Sequence, residues 1–177
     1  MARSKAWRGL SYRPLERPAE EAAALFRFAG AWAPSAPDAG WGAWDGERLV
    51  GAALIERVGA AAMVHGPVVV TREPGQPDGP STESSAPEPG ADPLDIAEQL
   101  LADILAHAGP ARVDTLFARP QGLDRLWVRS GFIPVPEGEL PADLRGRPGA
   151  GLFGWRGGTA LWSAAGRGAP ARAAAGR

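Results

Sequence analysis

One segment decides the fold of this chain: Leu123-Asp-Arg-Leu-Trp-Val-Arg-Ser-Gly131-Phe132-Ile-Pro-Val135. The first half of the segment predicts a short amphipathic helix that ends at Gly131, and an apolar strand follows at once. A longer helix over about Pro93 to Ala108 and a strand over Val113 to Ala118 precede the segment. The C-terminal half of the chain is therefore predicted to run helix, strand, short helix and strand.

The N-terminal half contains one further predicted helix and several strands. The helix begins at Arg17-Pro18 and ends at Gly30, because proline is tolerated at the first helical position and glycine is common just past the last. Asp45-Gly46 and Gly157-Gly158 predict the turns of two hairpins. The predicted strands are Leu10 to Leu15, Trp41 to Trp44, Leu49 to Val58, Ala61 to Val70, Leu152 to Trp155 and Thr159 to Trp162.

The strand Ala61 to Val70 is almost continuously apolar, which is typical of a strand covered on both faces. Gly66-Pro67 interrupts it, and proline has no N–H to donate to a sheet ladder. We therefore expect a bulge or a splayed strand at this point.

Composition excludes several classes of function. The 177 residues suffice for one domain with its own core. With 19 basic and 20 acidic residues, the charge is too balanced for a nucleic-acid-binding surface over the whole domain. Without cysteine, and with only two histidines, no metal site is predicted. No stretch approaches the ~20 apolar residues of a membrane span, so we expect a cytoplasmic protein that does not contact a membrane.

Three segments are expected to lack fixed structure around or within a folded domain of residues 10–163. Residues 1–9 are predicted to be a flexible N-terminus, and the Ala-, Gly- and Arg-rich residues 164–177 a disordered tail. Residues 72–92 are predicted to be a disordered insertion. The stretch Thr71 to Pro93 holds six prolines and five acids but no aromatic or large aliphatic side chain. Such a stretch buries too little apolar surface to offset its chain entropy.

The order of these elements resembles the GNAT acetyltransferase fold over roughly Ser11 to Ser163. The most specific match is Leu126-Trp127-Val128-Arg129-Ser130-Gly131-Phe132, which is similar to the family's aromatic-x-x-x-Gly-Phe segment. The second is the strand Met63 to Val70, followed after a loop by the helix at Pro93. The resemblance implies a single-domain α/β fold, with a mixed central sheet flanked by helices, and acetyl-CoA as co-substrate.

In that family the fourth strand splays away from the fifth, and the pantetheine arm pairs with the exposed backbone. The resemblance places those backbone groups on Val68, Val69, Val70 and Thr71. Free donors and acceptors at a sheet opening can pair with a ligand as they would with another strand. The pyrophosphate would bind the amides at the start of the following helix.

The phosphate-binding turn is where this chain departs most from the family, whose basic-x-x-Gly-x-Gly/Ala turn runs straight into the helix. One alternative is that Arg72 and Gly75 are a remnant of the turn, with Arg72 contacting the cofactor. The other is that Gly90-Ala91-Asp92 starts the helix, in which case Asp92 points a negative charge at the site. The missing glycines and the extra acids weaken anion binding in either case.

Two side chains are candidates for the chemistry, and a third is a candidate for the cofactor site. Trp127 stands where many family members carry the tyrosine that protonates the leaving thiolate, and an indole N–H is not a usable acid. We therefore expect Trp127 to contribute contacts to the cofactor site and no proton. His65 and Glu56 lie on central strands near the predicted opening, and either could deprotonate the amine. The structural alternatives are a hydrogen-bonded core histidine and a solvated carboxylate at a strand end.

Two functions follow from these observations. The first is an acyl-CoA-dependent N-acyltransferase that transfers an acetyl group from acetyl-CoA to a small-molecule or protein amine. The alternative is a GNAT-fold protein that has lost catalysis and serves as a binding or interaction module, which the disrupted turn and Trp127 favour. The terminal hairpin and the tryptophans would suit a homodimer.

Overall fold

The structure, a computed structural model, describes residues 5–7, 9–70 and 92–156. The predicted insertion, the predicted tail and the second half of the predicted terminal hairpin lie almost wholly outside these residues. The described elements are β1 (Lys5–Trp7), β2 (Leu10–Pro14), α1 (Pro18–Phe28), β3 (Ala39–Asp45), β4 (Arg48–Val58), β5 (Ala61–Val69), α2 (Pro93–Ala108), β6 (Thr115–Ala118), α3 (Asp124–Arg129), β7 (Ile133–Pro134) and β8 (Phe153–Trp155), with two short 3₁₀ turns at Glu137–Glu139 and Ala142–Leu144.

The described strands form one mixed sheet in the order β1-β2-β3-β4-β5-β6-β8-β7. Every pair is antiparallel except β5 with β6, which is parallel because α2 carries the chain from the end of one strand to the start of the other. This arrangement confirms the predicted α/β class and the mixed sheet flanked by helices.

The two faces of the sheet are covered differently. Helices α2 and α3 cover one face, and their apolar residues form the largest core with side chains such as Leu101 and Leu126. Helix α1 covers part of the other face around Phe26 and Leu54. The segment that links β7 to β8 covers the rest of that face, with Leu144 packed near Met63. The side chains between these two clusters on the second face border the candidate site.

Strand β1 and the turn between β3 and β4 differ from the prediction. Residues 5–7, predicted to belong to a flexible N-terminus, form β1. Gly9 has a φ of 76°, which permits the sharp turn that folds β1 back onto β2. The β3–β4 hairpin turns at Gly46-Glu47, one residue later than predicted, because Asp45 still pairs with Arg48.

The predicted irregularity at Gly66-Pro67 is confirmed. Val68 pairs with Ala52 and His65 pairs with Leu54, so β5 has one more residue than β4 across this interval. Two residues opposite one is the pattern of a β-bulge. The proline therefore lies where the β4–β5 ladder requires no N–H from it.

The longest described helix, α2, has 16 residues, and none of the described helices could span a membrane.

Candidate active site

The sheet opens between β5 and β6. The parallel ladder ends at the pair Val64 and Ala118, and none of the later residues of β5 pairs with β6. Beyond that pair lies a cleft of about 230 Å³. Its lining comes from the end of α1, the second half of β5, the start of α2 and the loop after β6: Ala29, Ala31, Gly66, Pro67, Val68, Val69, Pro93, Arg119, Gln121, Gly122 and Leu123.

The alternation of the β4–β5 ladder shows which backbone groups face this cleft. The N–H of Val70 donates to the carbonyl of Val50 at 2.8 Å, so the backbone of Val70 points toward β4. Backbone groups of successive residues in a strand point to opposite sides. Val68, paired with Ala52, therefore also points its groups toward β4, and Val69 points its N–H and C=O into the cleft.

The predicted cofactor residues are thus divided. Val68 and Val69 line the cleft, and of these Val69 offers its backbone. The Val70 N–H is used by β4, and Thr71 and Arg72 lie outside the described residues. The Trp127 side chain is 1% exposed, lies in the α2–α3 core and contacts Phe132 edge to face at 5.1 Å between ring centroids. Trp127 does not line the cleft. Burial of its large apolar indole in the core stabilises the fold.

The start of α2 also borders the cleft, through Pro93. The carboxylate of Asp92 accepts a hydrogen bond from the Leu94 N–H at 2.9 Å, which is the usual N-cap contact. This is the helix start that the second sequence alternative requires of Asp92. The cap occupies one of the free amides at the helix N-terminus and brings a negative charge to it.

His65 and Glu56 are in contact. His65 lies opposite Leu54 in the ladder, and Glu56 is two residues beyond Leu54, so both side chains are on the face that α1 covers in part. His65 Nε2 is 3.2 Å from Glu56 Oε2. His65 is 4% exposed, and it is the one buried polar or charged side chain among the described residues.

Arg147 completes this group, although the sequence did not predict it as a site residue. Its Nε donates to Glu56 Oε2 at 2.9 Å, and its Nη2 donates to Glu56 Oε1. The pairing is bidentate, the strongest common geometry for an arginine and a carboxylate. Nothing in the sequence singles out Arg147, because it is one of many arginines and lies 91 residues from its partner.

The electrostatics of this group follow from burial and from Arg147. The hydrogen bond from Arg147 holds the pKa of Glu56 below its ordinary value, and burial opposes this effect. Burial lowers the pKa of His65 to about 4, although the Glu56 carboxylate pulls it upward. At neutral pH the histidine is therefore neutral, and the carboxylate and the guanidinium are both charged.

Trp32 covers the group from the connection between α1 and β3. Its ring lies 5.1 Å from the His65 ring, and the Arg147 guanidinium lies 5.6 Å from the Trp32 ring centroid. The backbone N–H of Trp32 donates to Oε1 of Gln121 at 3.4 Å, so this connection reaches across to the loop after β6. The cleft and the His65 group are therefore adjacent, with Gln121 lining the one and Trp32 covering the other.

The tyrosine of the chain lies on the other face of the sheet from His65 and Glu56. Tyr12 is 2% exposed and belongs to the core on the α2 side. Its burial, and then the charges of Asp103 and Asp95, raise its pKa to about 12. None of the side chains that line the cleft in the described structure is an ordinary proton donor near neutral pH.

Comparison with solved structures identifies the architecture. No protein-family model and no curated protein matches the sequence. An N-acetylglutamate synthase from Neisseria gonorrhoeae, complexed with coenzyme A and L-arginine, aligns with a TM-score of 0.55 at 19% identity over 83% of this chain. The alignment covers 33% of that synthase, so this chain spans about a third of its length.

Two shorter proteins align over most of their own length. A GNAT-family acetyltransferase from Staphylococcus aureus aligns with a TM-score of 0.51 at 13% identity, covering 78% of this chain and 75% of that one. The catalytic domain of a Tetrahymena histone acetyltransferase, in complex with coenzyme A, gives 0.53 at 10% identity, covering 83% and 92%. Together with the sheet order and the opening beside β5, these alignments confirm the predicted architecture: the chain has the GNAT fold.

Proposed function

We propose that this protein is an acyl-CoA-dependent N-acyltransferase that transfers an acetyl group from acetyl-CoA to an amine. The observation that carries the proposal is the cleft beside β5, where the Val69 N–H and C=O face open space at the end of a broken parallel ladder. Solved structures with this fold include proteins crystallised with coenzyme A. A pantetheine arm carries amides that can pair with such an edge as an added strand does.

The residues present fit an acyl-CoA thioester in part. The apolar side chains and backbone of the cleft suit the pantetheine arm, and the thioester supplies the activated acetyl group. The start of α2 suits a pyrophosphate less well, because the carboxylate of Asp92 occupies the amide of Leu94. We therefore expect acyl-CoA binding that depends more on the pantetheine arm than on the phosphates.

His65 is the better of the two predicted bases. Both oxygens of the ionised Glu56 carboxylate are bound by Arg147, whereas His65 keeps one ring nitrogen that no hydrogen bond of the described structure engages. The neutral imidazole of His65 can accept the proton that the attacking amine loses, directly or through a water. The amine nitrogen then bonds to the thioester carbonyl carbon, the C–S bond breaks, and the thiolate leaves and takes up that proton. Positioning of the two reactants supplies most of the rate.

The first test is titration calorimetry of acetyl-CoA into the full chain, followed by an acetylation screen with spermidine, a lysine-rich peptide and aniline. Binding and turnover of any of these amines support the proposal. Val69→Pro removes the Val69 N–H, which faces the cleft, and leaves the N–H groups that pair with β4. It should weaken acetyl-CoA binding while the unfolding transition remains cooperative. Binding equal to that of the wild type would contradict the proposed pantetheine site.

The second candidate function is a GNAT-fold binding module without catalysis. Two points favour it: Trp127, which stands where the resemblance places a tyrosine, is buried in the core, and the carboxylate of Asp92 caps the start of α2, where it would oppose phosphate binding. It predicts that the protein binds acetyl-CoA weakly or not at all and acetylates none of the amines. Turnover of acetyl-CoA with an amine would exclude it.

A further inference from the structure

Arg147 is held by almost all of its hydrogen-bond donors. Beside its two bonds to Glu56, its Nη2 donates to the carbonyl of Asp143 at 3.1 Å and its Nη1 donates to the carbonyl of Arg145 at 3.2 Å. A guanidinium has five N–H donors, so about four of them are engaged. The side chain is 24% exposed and is fixed in one orientation by these contacts.

This fixed guanidinium determines what Glu56 can do. Both carboxylate oxygens are bound by Arg147, and Oε2 also receives His65 Nε2 at 3.2 Å. An ionised carboxylate accepts hydrogen bonds and cannot donate one. The proton of the neutral imidazole must therefore be on Nε2, which leaves Nδ1 with the free lone pair.

The same guanidinium also contacts Trp32, a second side chain that contacts His65. It lies 5.6 Å from the Trp32 ring centroid, and the Trp32 ring lies 5.1 Å from the His65 ring. A guanidinium over an aromatic face is attracted by the ring electrons. Arg147 thus contacts two side chains that contact His65, Glu56 and Trp32, and it forms no hydrogen bond with the imidazole in the described structure.

We propose that Arg147 is a positioning residue: it fixes the Glu56 carboxylate so that His65 carries its proton on Nε2 and presents Nδ1 as the atom that accepts the proton of the amine. This inference deepens the proposed acyl transfer and rests on it for the role of Nδ1. In the transfer, the N–H bond of the amine breaks and its proton moves to Nδ1. The amine nitrogen bonds to the carbonyl carbon, and the departing thiolate receives that proton from Nδ1.

The test begins with a readout that requires no substrate. Long-range proton–nitrogen NMR correlation reports which imidazole nitrogen carries the proton, and His107→Gln assigns the signals because the chain has two histidines. The wild type is expected to show His65 protonated on Nε2. In Glu56→Gln, the side-chain amide can donate to Nε2, so the Nδ1–H form should appear. In Arg147→Met the carboxylate is released, and the Nε2–H form should lose its dominance.

Glu137→Gln is the matched control. Glu137 forms the other bidentate pair that ties this segment to the sheet, with Arg119, and it does not contact His65. This variant should leave the His65 tautomer unchanged, which separates positioning of His65 from general anchoring of the segment. Arg147→Lys keeps one positive charge beside Glu56 and should restore part of the wild-type tautomer if Arg147→Met fails to fold.

Kinetics provide the second readout, with acetyl-CoA and whichever amine of the panel is acetylated. Arg147→Met should lower kcat about tenfold or more and leave the KM for acetyl-CoA within about twofold, since Arg147 does not line the cleft. An unchanged His65 tautomer in both Arg147→Met and Glu56→Gln would overturn the inference. If the tautomer responds but no amine is acetylated by the wild type, the positioning role stands and the proposed transfer fails.

Discussion

Val64 and Ala118 form the last pair of the parallel ladder, and the sheet opens immediately beyond them. His65 is the next residue of β5, so the proposed base lies at the mouth of the opening. The next two residues, Gly66 and Pro67, form the bulge opposite β4, and the strand returns to register at Val68. The same short stretch therefore supplies the proposed base, the bulge and the free backbone edge at Val69.

Gly66 is required for this bulge. Its φ is 86°, and a Cβ there would lie 2.9 Å from the Val68 nitrogen and 3.0 Å from the Ala52 carbonyl oxygen. Gly66→Ala should therefore lower the free energy of unfolding by about 1–3 kcal/mol, measured by urea denaturation. Gly138→Ala is the control, because nothing lies within 4 Å of its added Cβ. Equal stability of the two variants would show that the bulge does not depend on glycine.

Asp92 should oppose the binding of acetyl-CoA. Asp92→Asn keeps a side chain that caps α2 and removes the negative charge near the expected phosphates. The dissociation constant for CoA should fall severalfold, by about 1 kcal/mol of binding free energy, with the larger effect at low salt. Titration calorimetry at two ionic strengths measures this change. An affinity that is unaffected by the substitution would place the phosphates elsewhere.

His65 should make the protein less stable in acid. Its folded pKa of about 4 lies below the ordinary 6.5, so between these values the unfolded chain binds more protons. The contribution of the neutral His65 to the free energy of unfolding should be fully present above about pH 6.5. The free energy of unfolding should then fall by roughly 3 kcal/mol as the pH drops toward 4. His65→Gln should flatten this part of the curve in urea unfolding, and His107→Gln should retain it. A curve of the same shape in His65→Gln would contradict the burial of a neutral imidazole.

Replacement of Trp127 by tyrosine should destabilise the protein without increasing its activity. The position is buried in the α2–α3 core, so a phenol there would need a new partner for its hydroxyl and would leave space that the indole fills. Trp127→Tyr should lower the free energy of unfolding by about 1–3 kcal/mol and should not raise turnover of acetyl-CoA. A rise in kcat would show that this position faces the reacting thioester.

The fold could be predicted from the sequence because its signals are local. Helix α2 has the predicted bounds, Pro93 to Ala108, since a capping aspartate, a first-turn proline and a following glycine stand next to its apolar stripe. Gly66-Pro67 predicted the bulge from an equally local signal, because a proline has no N–H to donate to the ladder. Strand β1 was missed because three residues paired across a turn leave no periodic pattern.

The candidate site was less predictable because it depends on contacts between distant residues. His65 and Glu56 were expected as separate alternatives, and their hydrogen bond depends on the register that the bulge sets. Arg147 contacts Glu56 from the segment that links β7 to β8. It is one arginine among many, so the sequence does not indicate this contact. The side of the sheet on which Trp127 lies likewise follows from packing, which the Gly-Phe motif alone does not specify.

The measurement that tests the central claim most directly is amide hydrogen exchange at Val69, followed by NMR with and without acetyl-CoA. The account predicts that the Val69 N–H exchanges readily in the free protein, because it faces the cleft, and becomes protected when acetyl-CoA binds. The Val70 N–H, which is bound to the Val50 carbonyl in the free protein, should be protected in both states. Binding of acetyl-CoA without new protection at Val69, or no binding at all, would contradict the account.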